Sequence, residues 1–405
     1  MTAYGESEQI LVPMPDGTRR AYSILHLLGA GQSILSSRMG SGMPPIRILE
    51  QSGPLQNGET LLGFRYGART IHIAISEKIL CSLDMADRRF DLTDLLRPSR
   101  SFKDGQAPLP LIYRKWEPGG KLISGTDLVT TAGSAVVTST TGRFVHYGMR
   151  VGSSFTITTG ADAGTYVVET VHHDGRITLE TALAGTATGV QWTYYSEPSV
   201  RDLYCILQLG PAFDLGQVSK FGYVEALRLV AQDPFWYGAD QTQDWDTDDD
   251  EWDALTFDFG EPGVADADAG AAFDSPATDS TWWFANNYVS SSISIPYWGH
   301  EGAVPVITIT GPANDMVMGN TALDTQISFV YGVADGEVVT IDTFNLTATN
   351  GDGDDLFMYL TGDVSGFIIS PDAANNRVNT LAVVYSGAGV NSNVSITWRN
   401  RYDSV

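Results

Sequence analysis

Cysteine and long apolar runs are scarce in this 405-residue sequence. Its two cysteines, Cys81 and Cys205, stand far apart without a C-x-x-C spacing. This argues against a disulfide scaffold and a thiolate metal site, so we expect both to be buried free thiols. The sequence also lacks a run of about 20 apolar residues and a basic, apolar leader. We therefore expect a protein of a soluble compartment, without signal-dependent export and without membrane contact.

Positive charge is scarce in the second part of the chain. Residues 241–405 contain three basic residues against 25 acidic ones, whereas residues 1–240 contain 21 basic and 23 acidic residues. A surface this acidic repels phosphate backbones and anionic lipids, which argues against specific binding of nucleic acid. The change in charge predicts that two differently built modules meet near Gly238.

Motifs for catalysis are also missing. The sequence has no G-x-S-x-G, no phosphate-binding loop and no H-E-x-x-H, so nucleophilic and zinc-dependent hydrolysis have no visible carrier. A glycoside hydrolase needs two carboxylates across a cleft, but 48 acidic residues supply such pairs by chance. We expect a protein that is not an enzyme and has no cofactor and no metal. The one metal alternative is structural calcium in two acidic clusters, which are Asp246, Asp248 and Asp250, and Asp352, Asp354 and Asp355.

Short β-type runs separated by turns dominate what is present. Residues 40–75 alternate such runs with Pro-Pro, Gly-Pro and Asn-Gly turns,. One helix is predicted at residues 84–97, because apolar residues recur there at helical spacing and Pro98 ends the pattern. Arg88 and Arg89 on this helix are expected to form ion pairs, either inside the subunit or across an interface.

The predicted fold class is mainly β, in several parts. An N-terminal β-sandwich-like domain, with the one α-helix, comprises residues 1–119 and 196–240. The Thr-, Ser- and Gly-rich residues 120–195 predict a small inserted β domain. Residues 241–295 form an acidic, Trp-rich connecting region. Strands of about six to eight residues in 296–405 predict a C-terminal β-sandwich or jelly roll.

The segment ALRLVAQDPFWYG, residues 226–238, joins a period-two strand to an Asp-Pro turn and three aromatic residues. Pro234 cannot donate to a β-ladder, so strand pairing is expected to stop there. Asp233 is expected to accept hydrogen bonds within the turn. Two interpretations are open for Phe235 and Trp236: they close a core under a domain boundary, or they dock a neighbouring subunit.

Three separated segments resemble the distal tail proteins of long-tailed, siphovirus-type bacteriophages, which form the ring at the tip of the tail tube. These are GSGMPPIRILEQSGPLQNGETLLGFRYGARTIHIAI, the predicted helix followed by GQAPLPLIYRKWEPGG, and ALRLVAQDPFWYG. Together they cover roughly residues 20–120 and 196–240. The strings VPVITITGP, GEVVTIDT and SITWRNRY are similar to the galectin-like β-sandwich that closes many such proteins. Residues 120–195 depart from the simplest family pattern.

The resemblance implies a structural virion protein at the tail tip, assembled in the host cytoplasm. It would form a homohexameric ring that binds the tail tube protein on one side and the tail hub and adhesins on the other. DNA would pass through the lumen without specific binding. The alternative is a carbohydrate-binding adhesin module that binds a host glycan through the insert or the C-terminal domain. Each structural or interface position also has a simpler explanation, which is a turn, a local ion pair or, for the two aromatic residues, a closed core. These positions are Pro44, Pro45, Gly53, Pro54, Gly58, Arg69, Arg88, Arg89, Asp233, Pro234, Phe235 and Trp236.

Overall fold

A computed structural model describes most of the chain. The described residues are 8–14, 18–23, 33–51, 60–77, 110–209, 223–246, 288–371, 377–388 and 392–404. The predicted helix at 84–97, with Arg88 and Arg89, lies outside these residues, as do Gly53, Pro54, Gly58 and Cys81. The mainly β fold class is confirmed. No helix among the described residues is long and apolar enough to cross a bilayer.

The N-terminal part is built from two sheets that share one strand. Its strands are β1 (Glu8–Pro13), β2 (Arg19–Ser23), β3 (Ser33–Met39), β4 (Ile46–Gln51), β5 (Thr60–Tyr66), β6 (Arg69–Glu77) and β7 (Leu111–Glu117). They are completed after the insert by β14 (Ser199–Leu209), β15 (Tyr223–Ala231) and β16 (Trp236–Asp246). One sheet has the order β2-β1-β7-β14-β16, and β14 also pairs with β15, which leads through β6 to β3.

The inserted residues form a closed six-stranded barrel of order β10-β11-β12-β9-β8-β13. Its strands are β8 (Leu122–Thr130), β9 (Val136–Thr138), β10 (Ser154–Ile157), β11 (Gly164–His173), β12 (Arg176–Leu179) and β13 (Ala187–Tyr195). The barrel has its own apolar core, in which Trp192 is 1% exposed and contacts Phe144, Phe155 and Tyr194. Closure leaves this unit without a free sheet edge.

The C-terminal part is a sandwich of two antiparallel sheets. Its strands are β17 (Tyr288–Pro296), β18 (Val306–Thr310), β19 (Asn314–Asn320), β20 (Thr325–Phe329), β21 (Val338–Asp342), β22 (Thr347–Asn350), β23 (Leu360–Gly362), β24 (Val378–Ser386) and β25 (Asn393–Tyr402), with a short 3-10 helix at Phe357–Tyr359. One sheet has the order β17-β24-β19-β20-β23 and the other β16-β25-β18-β21-β22. Their inner faces enclose the largest apolar core in the described residues, as expected of aligned sheets with alternating side chains.

Strand β16 joins the N-terminal and C-terminal parts into one continuous sheet. It pairs with β14 through Asp202 and Tyr237 and with β25 from Trp236↔Tyr402 to Asp246↔Asn393. The change in charge near Gly238 therefore falls inside an unbroken strand. Residues 241–246, which the sequence assigns to the connecting region, are the second half of this strand.

Candidate functional site

Strands β4 and β5 form a hairpin that belongs to neither large sheet. Ile46 pairs with Tyr66 and Ile48 with Phe64, so these four side chains share one face,. The base of the hairpin is closed by a hydrogen bond from the Gly67 amide to the Pro45 carbonyl at 2.7 Å. Because a two-stranded hairpin has only one neighbour for each strand, it is marginally stable in water unless another surface covers it.

The apolar side chains of the hairpin are uncovered. Every residue of β4 is exposed to solvent. The side chains of Ile48 in β4 and Phe64 in β5 are 61% and 62% exposed. Further exposed apolar side chains lie in the hairpin or just before it, namely Met39, Met43, Ile46, Leu49, Leu61 and Leu62, of which Leu49 and Leu61 lie on the opposite face by strand alternation,. So many exposed apolar side chains in one short hairpin make it the candidate interaction surface of the described residues,.

The buried guanidinium group of Arg69 fixes the hairpin to the N-terminal core. Arg69 is 1% exposed, and its Nε atom donates to the Pro234 carbonyl at 2.6 Å. Its terminal nitrogens donate to the carbonyls of Gly40 and Gly42, and to that of Asp403 at 2.6 Å. Burial lowers the pKa of Arg69 to about 10, against the opposing charge of Asp403. The predicted local ion pair is thus replaced by hydrogen bonds to four main-chain carbonyls, and buried charge requires such partners.

Gly40 is a position that only glycine can occupy in this junction. Its φ is +98°, and a Cβ atom there would lie 2.0 Å from the Thr70 carbonyl oxygen. The close approach brings the Gly40 carbonyl to Arg69 at 3.1 Å. The tight turn before β4 is therefore part of the same structure as the arginine.

Asp233 connects the turn after β15 to the last strand of the chain. Its carboxylate accepts hydrogen bonds from the Phe235 amide, from the Tyr237 hydroxyl and from Arg401 at 3.0 and 3.2 Å. The Arg401 guanidinium also lies 4.4 Å from the centre of the Phe235 ring, a cation–π distance. Asp233 is thus a turn acceptor, as expected, and in addition forms an ion pair with β25.

The aromatic residues of the Asp-Pro turn are internal to the subunit. Trp236 is 0% and Phe235 6% exposed. The Trp236 ring lies 5.5 Å from that of Tyr113, and the Phe235 ring lies 5.2 Å from that of Tyr66 at the end of the hairpin. Strand pairing stops before Pro234, as predicted, and it resumes at Trp236, which the sequence did not predict. Of the two interpretations of these aromatics, the structure shows the one in which they close a core.

The structure brings several of the predicted positions together. Pro44 is buried and Pro45 exposed at the start of the hairpin, next to the carbonyls that Arg69 binds. Sequence reasoning selected the turns and missed the exposed faces of β4 and β5. A signal was present in IRILEQ and TLLGFRY, where apolar residues alternate with charged or small ones over two adjacent runs,. Such alternation normally indicates one buried face, yet here Ile46, Ile48 and Phe64 on that face are exposed, and Tyr66 at its end packs against Phe235.

A buried polar cluster joins the barrel to the β16–β25 sheet. The Asp174 carboxylate accepts hydrogen bonds from the His146 amide at 2.7 Å and the Asn400 side chain at 2.8 Å. Its own amide donates to the side chain of Gln241 at 2.9 Å. Burial raises the pKa of Asp174 to about 6, although these hydrogen bonds act in the opposite direction. A carboxylate buried in this way titrates well above its ordinary range.

Two histidines of the barrel belong to the same buried polar cluster, which we call the barrel joint because it connects the barrel to β16 and β25. Burial, aided by the charge of Arg201, lowers the pKa of His146 to about 3. Burial also lowers the pKa of His173 to about 3, with Arg176 and His172 acting in the same direction. His173 contacts Gln243 of β16 through its Nε2 atom at 3.2 Å and accepts the Gly175 amide at its Nδ1 atom. Both rings are therefore neutral near pH 7 and serve as hydrogen-bonding groups of the joint.

The acidic clusters show local turn chemistry where they are described. In the second cluster, the Asn350 side-chain oxygen accepts the amides of Asp352 and Asp354, and the Asp355 carboxylate accepts the Phe357 amide. These contacts are typical of Asx turns. Asp248 and Asp250 of the first cluster lie outside the described residues. Within the described ranges, no group of three or more His, Cys, Asp or Glu side chains is arranged to hold a metal.

Comparisons with known proteins give matches only among solved structures. No protein-family model and no curated protein matches the sequence. One matching structure is the SPP1 Dit protein, described as a paradigm of the hub adsorption apparatus in phages that infect Gram-positive bacteria; it has a TM-score of 0.45 and 11% identity over 97% of this chain and 98% of that one. Two others are phage P2 baseplates in the activated conformation, with Ca and with Sr, at TM-scores of 0.38, identities of 9% and 8%, and coverage of 98% of this chain and 99% of each matched chain.

Proposed function

We propose that this chain is a structural protein of a bacteriophage virion that assembles into a homohexameric ring at the distal end of the tail tube. The ring would join the tube protein to the tail hub and to adhesins, and it would act without catalysis and without a cofactor. This assignment comes from the sequence resemblance. Its segments near Pro44, Arg69 and Trp236 meet at one buried junction, which supports their belonging to one domain.

The observation that carries the proposal is the uncovered apolar face of the β4–β5 hairpin. Ile48 and Phe64 are exposed on this face, whereas Tyr66 at its end packs against Phe235. A second copy of the chain is the proposed occupant, because repetition of one contact around an axis covers every hairpin and leaves no free one. Obligate interfaces of this kind have apolar centres.

The proposal is tested by the mass of the purified full-length chain. Sedimentation or light scattering at about 50 µM should give a hexamer, and negative-stain images should show rings with an open centre. Replacing Phe64 with Ser should lower the assembled fraction at least tenfold, because the variant places a hydroxyl in the apolar centre of the contact. Phe344→Ser is the matched control, since Phe344 is also 62% exposed but lies in the β21–β22 turn of the sandwich.

Two results would contradict the proposal. One is a monomeric wild-type chain that also fails to form rings when purified tube protein is added as a template. The other is assembly that Phe64→Ser and Phe344→Ser reduce equally, because the contact would then not depend on the hairpin. A host glycan, bound by the barrel or the sandwich, is a separate proposed partner.

A further inference from the structure

The C-terminal sandwich has an exposed edge on the side away from the barrel. Strands β16 and β17 contact the barrel, and the two sheets of the sandwich end on the opposite side at β22 and β23. The 3-10 helix Phe357–Tyr359 lies at this far edge. The Leu356 amide, just before the helix, donates to the Ala348 carbonyl of β22 at 2.7 Å, and the last carbonyl of the helix accepts the Val330 amide at 2.9 Å. The helix therefore connects the ends of both sheets, and none of its residues is buried.

The side chains at this edge are apolar or aromatic. Met358 is 79% exposed and Val330 is 55% exposed, and Phe357 and Tyr359 are 38% and 37% exposed. The Tyr359 ring lies 5.1 Å from the Tyr331 ring, so two aromatic rings lie side by side at the surface. We call these five residues, 330, 331 and 357–359, the tyrosine face. Exposed apolar patches mark sites of protein interaction, and Tyr, Phe and Met are enriched in interfaces.

Carboxylates lie beside the tyrosine face. The Tyr331 hydroxyl donates to the Glu337 carboxylate at 3.2 Å. Desolvation and the charge of Glu337 raise the pKa of Tyr331, and the charge of Asp354 acts in the same direction. Residues 304–371 contain nine acidic residues and no Lys, Arg or His. The electrostatic potential at this edge is therefore negative, and no basic side chain of this stretch offsets it.

Strand β23 adds a main-chain acceptor to the same edge. Among the residues that the structure describes, β23 pairs only with β20. The Asp363 amide donates to the Gln326 carbonyl of β20 at 3.0 Å. Because the N–H and C=O groups of a trans peptide point in opposite directions, the Gly362 carbonyl points away from β20. An open strand edge of this kind can pair with an extended polypeptide.

The chemistry of this edge selects the charge of its partner. A cation that lies on an aromatic ring is attracted by the ring, and carboxylates beside the ring add to that attraction. Nucleic acid and anionic lipid are repelled by the same carboxylates. The exposed apolar side chains require apolar side chains on the partner. A protein segment that combines basic and apolar residues meets each of these requirements.

We propose that the tyrosine face is a docking site for an extended segment of a partner protein in which basic and apolar residues alternate. A basic side chain of the segment lies on the ring of Tyr331 or Tyr359, close to the Glu337 carboxylate. The apolar side chains cover Met358 and its neighbours, and a main-chain amide donates to the Gly362 carbonyl. The inference goes beyond ring assembly and stands whether or not the chain forms a ring.

The test is fluorescence anisotropy of a labelled hexapeptide in which arginine and leucine alternate, titrated with the full-length chain. We expect a dissociation constant of about 100 µM, because a short peptide with few anchors binds weakly. The same peptide with glutamate in place of each arginine should not bind at about 1 mM, since its charges are repelled. The peptide with serine in place of each leucine should bind at least about threefold more weakly, because it leaves the apolar side chains uncovered.

Variants of the chain locate the binding site. Tyr359→Ser should weaken binding of the arginine–leucine peptide about fivefold, because it removes one of the two rings. Tyr195→Ser is the matched control, since Tyr195 is 67% exposed in β13 of the barrel. Tyr359→Phe keeps the ring and should bind within about twofold of the wild type. Glu337→Gln should weaken binding about threefold through loss of a charge, whereas Asp324→Asn, in the turn between β19 and β20, should leave it unchanged,.

Phe64→Ser, which tests the ring, should bind the peptide like the wild type, so the two proposals fail or stand separately. The inference is overturned if the arginine–leucine peptide does not bind at about 1 mM, or if the glutamate peptide binds as well. It is also overturned if Tyr359→Ser and Tyr195→Ser weaken binding equally, because binding would then follow only the net negative charge of the chain.

Discussion

The β4–β5 hairpin and the six-stranded barrel are both small β units, but they treat their apolar residues in opposite ways. The barrel closes on itself and buries Trp192 and Phe144 at 1% and 0% exposure. The hairpin leaves Ile48 and Phe64 more than half exposed. A closed barrel needs nothing else to be stable, whereas an open hairpin needs a partner. In the proposed ring, the hairpin is the part that contacts another copy, and the barrel is a separate folded unit that the contact does not need.

The largest predicted effect sharpens this comparison by removing one large aromatic side chain from each unit. Trp192→Ala should lower the free energy of unfolding by about 3–5 kcal/mol, because it empties the centre of a closed core. Phe64→Ala should change it by less than about 0.5 kcal/mol in dilute, unassembled protein, since an exposed side chain loses little on truncation. Urea unfolding followed by tryptophan fluorescence and circular dichroism measures both. Equal losses would mean that the hairpin is covered within the subunit.

The second effect tests whether the hairpin is rigidly attached to the closed part of the chain. Arg69→Met should cost about 2–4 kcal/mol, because it leaves up to four main-chain carbonyls without their buried donor,. Arg65→Met is the control, since Arg65 lies exposed on β5. Its cost should stay within about 0.5 kcal/mol. Denaturant unfolding measures the free energy of unfolding of both variants. If Arg69→Met is as stable as the wild type, the junction is held by packing alone.

Much of the fold could be predicted from the sequence because its signals are local. The strand before the Asp-Pro turn alternates apolar and polar residues, and Leu227 and Leu229 are indeed buried at 1% and 0% exposure. The strands of the C-terminal sandwich carry the same period, as in Val394 and Ile396 of β25. Alternation with a period of two predicts that one face of a strand is buried, even when the partner strand is not known.

The arrangement of the site could not be predicted, because its partners are distant in the chain. Arg69 reaches the carbonyl of Asp403, 334 positions away. Strand β16 pairs with β25 across 147 to 166 positions, and composition alone placed a boundary inside that strand. The exposed hairpin face escaped prediction for a different reason. Alternation in IRILEQ reports that one face is apolar, but not whether the same chain covers it.

The third prediction is that a fall in pH destabilises the barrel joint and leaves the hairpin contact unchanged. His146 and His173 have lowered folded-state pKa values, so their contribution to stability is present above pH 6.5 and is lost as the pH falls toward 3,. Asp174 has a raised pKa, so it contributes in the opposite sense, with stability gained as the pH falls from 6 toward 3.8. Two histidines outweigh one carboxylate, and we expect a net loss of about 2–3 kcal/mol between pH 7 and pH 5.

Variants show whether this loss belongs to the barrel joint. His173→Gln should remove most of the net decrease in unfolding free energy between pH 7 and pH 5, because glutamine does not titrate and the opposing contribution of Asp174 then offsets most of what His146 loses,. His72→Gln, at an exposed position of β6, should leave the decrease unchanged. The apolar face of the hairpin contains no histidine, so hexamer formation should persist over the same pH range. If the hexamer instead dissociates over the same pH range in which the unfolding free energy decreases, the hairpin and the barrel joint are not independent.

The smallest effect concerns two carboxylates that pair with arginines of β25 at different depths. Asp240 is 60% exposed at its side chain and pairs with Arg399, whereas Asp233 is 23% exposed and pairs with Arg401. Asp240→Asn should cost less than about 1 kcal/mol, and about 0.5 M salt should abolish even that, because water and ions screen an exposed pair. Asp233→Asn should cost about 2 kcal/mol at either salt concentration, since this carboxylate also accepts from Tyr237 and Phe235,. Urea unfolding at two salt concentrations decides between them. A salt-insensitive cost for Asp240 would mean that the seam between the N-terminal sheet and the sandwich depends on exposed charge as well as on buried contacts.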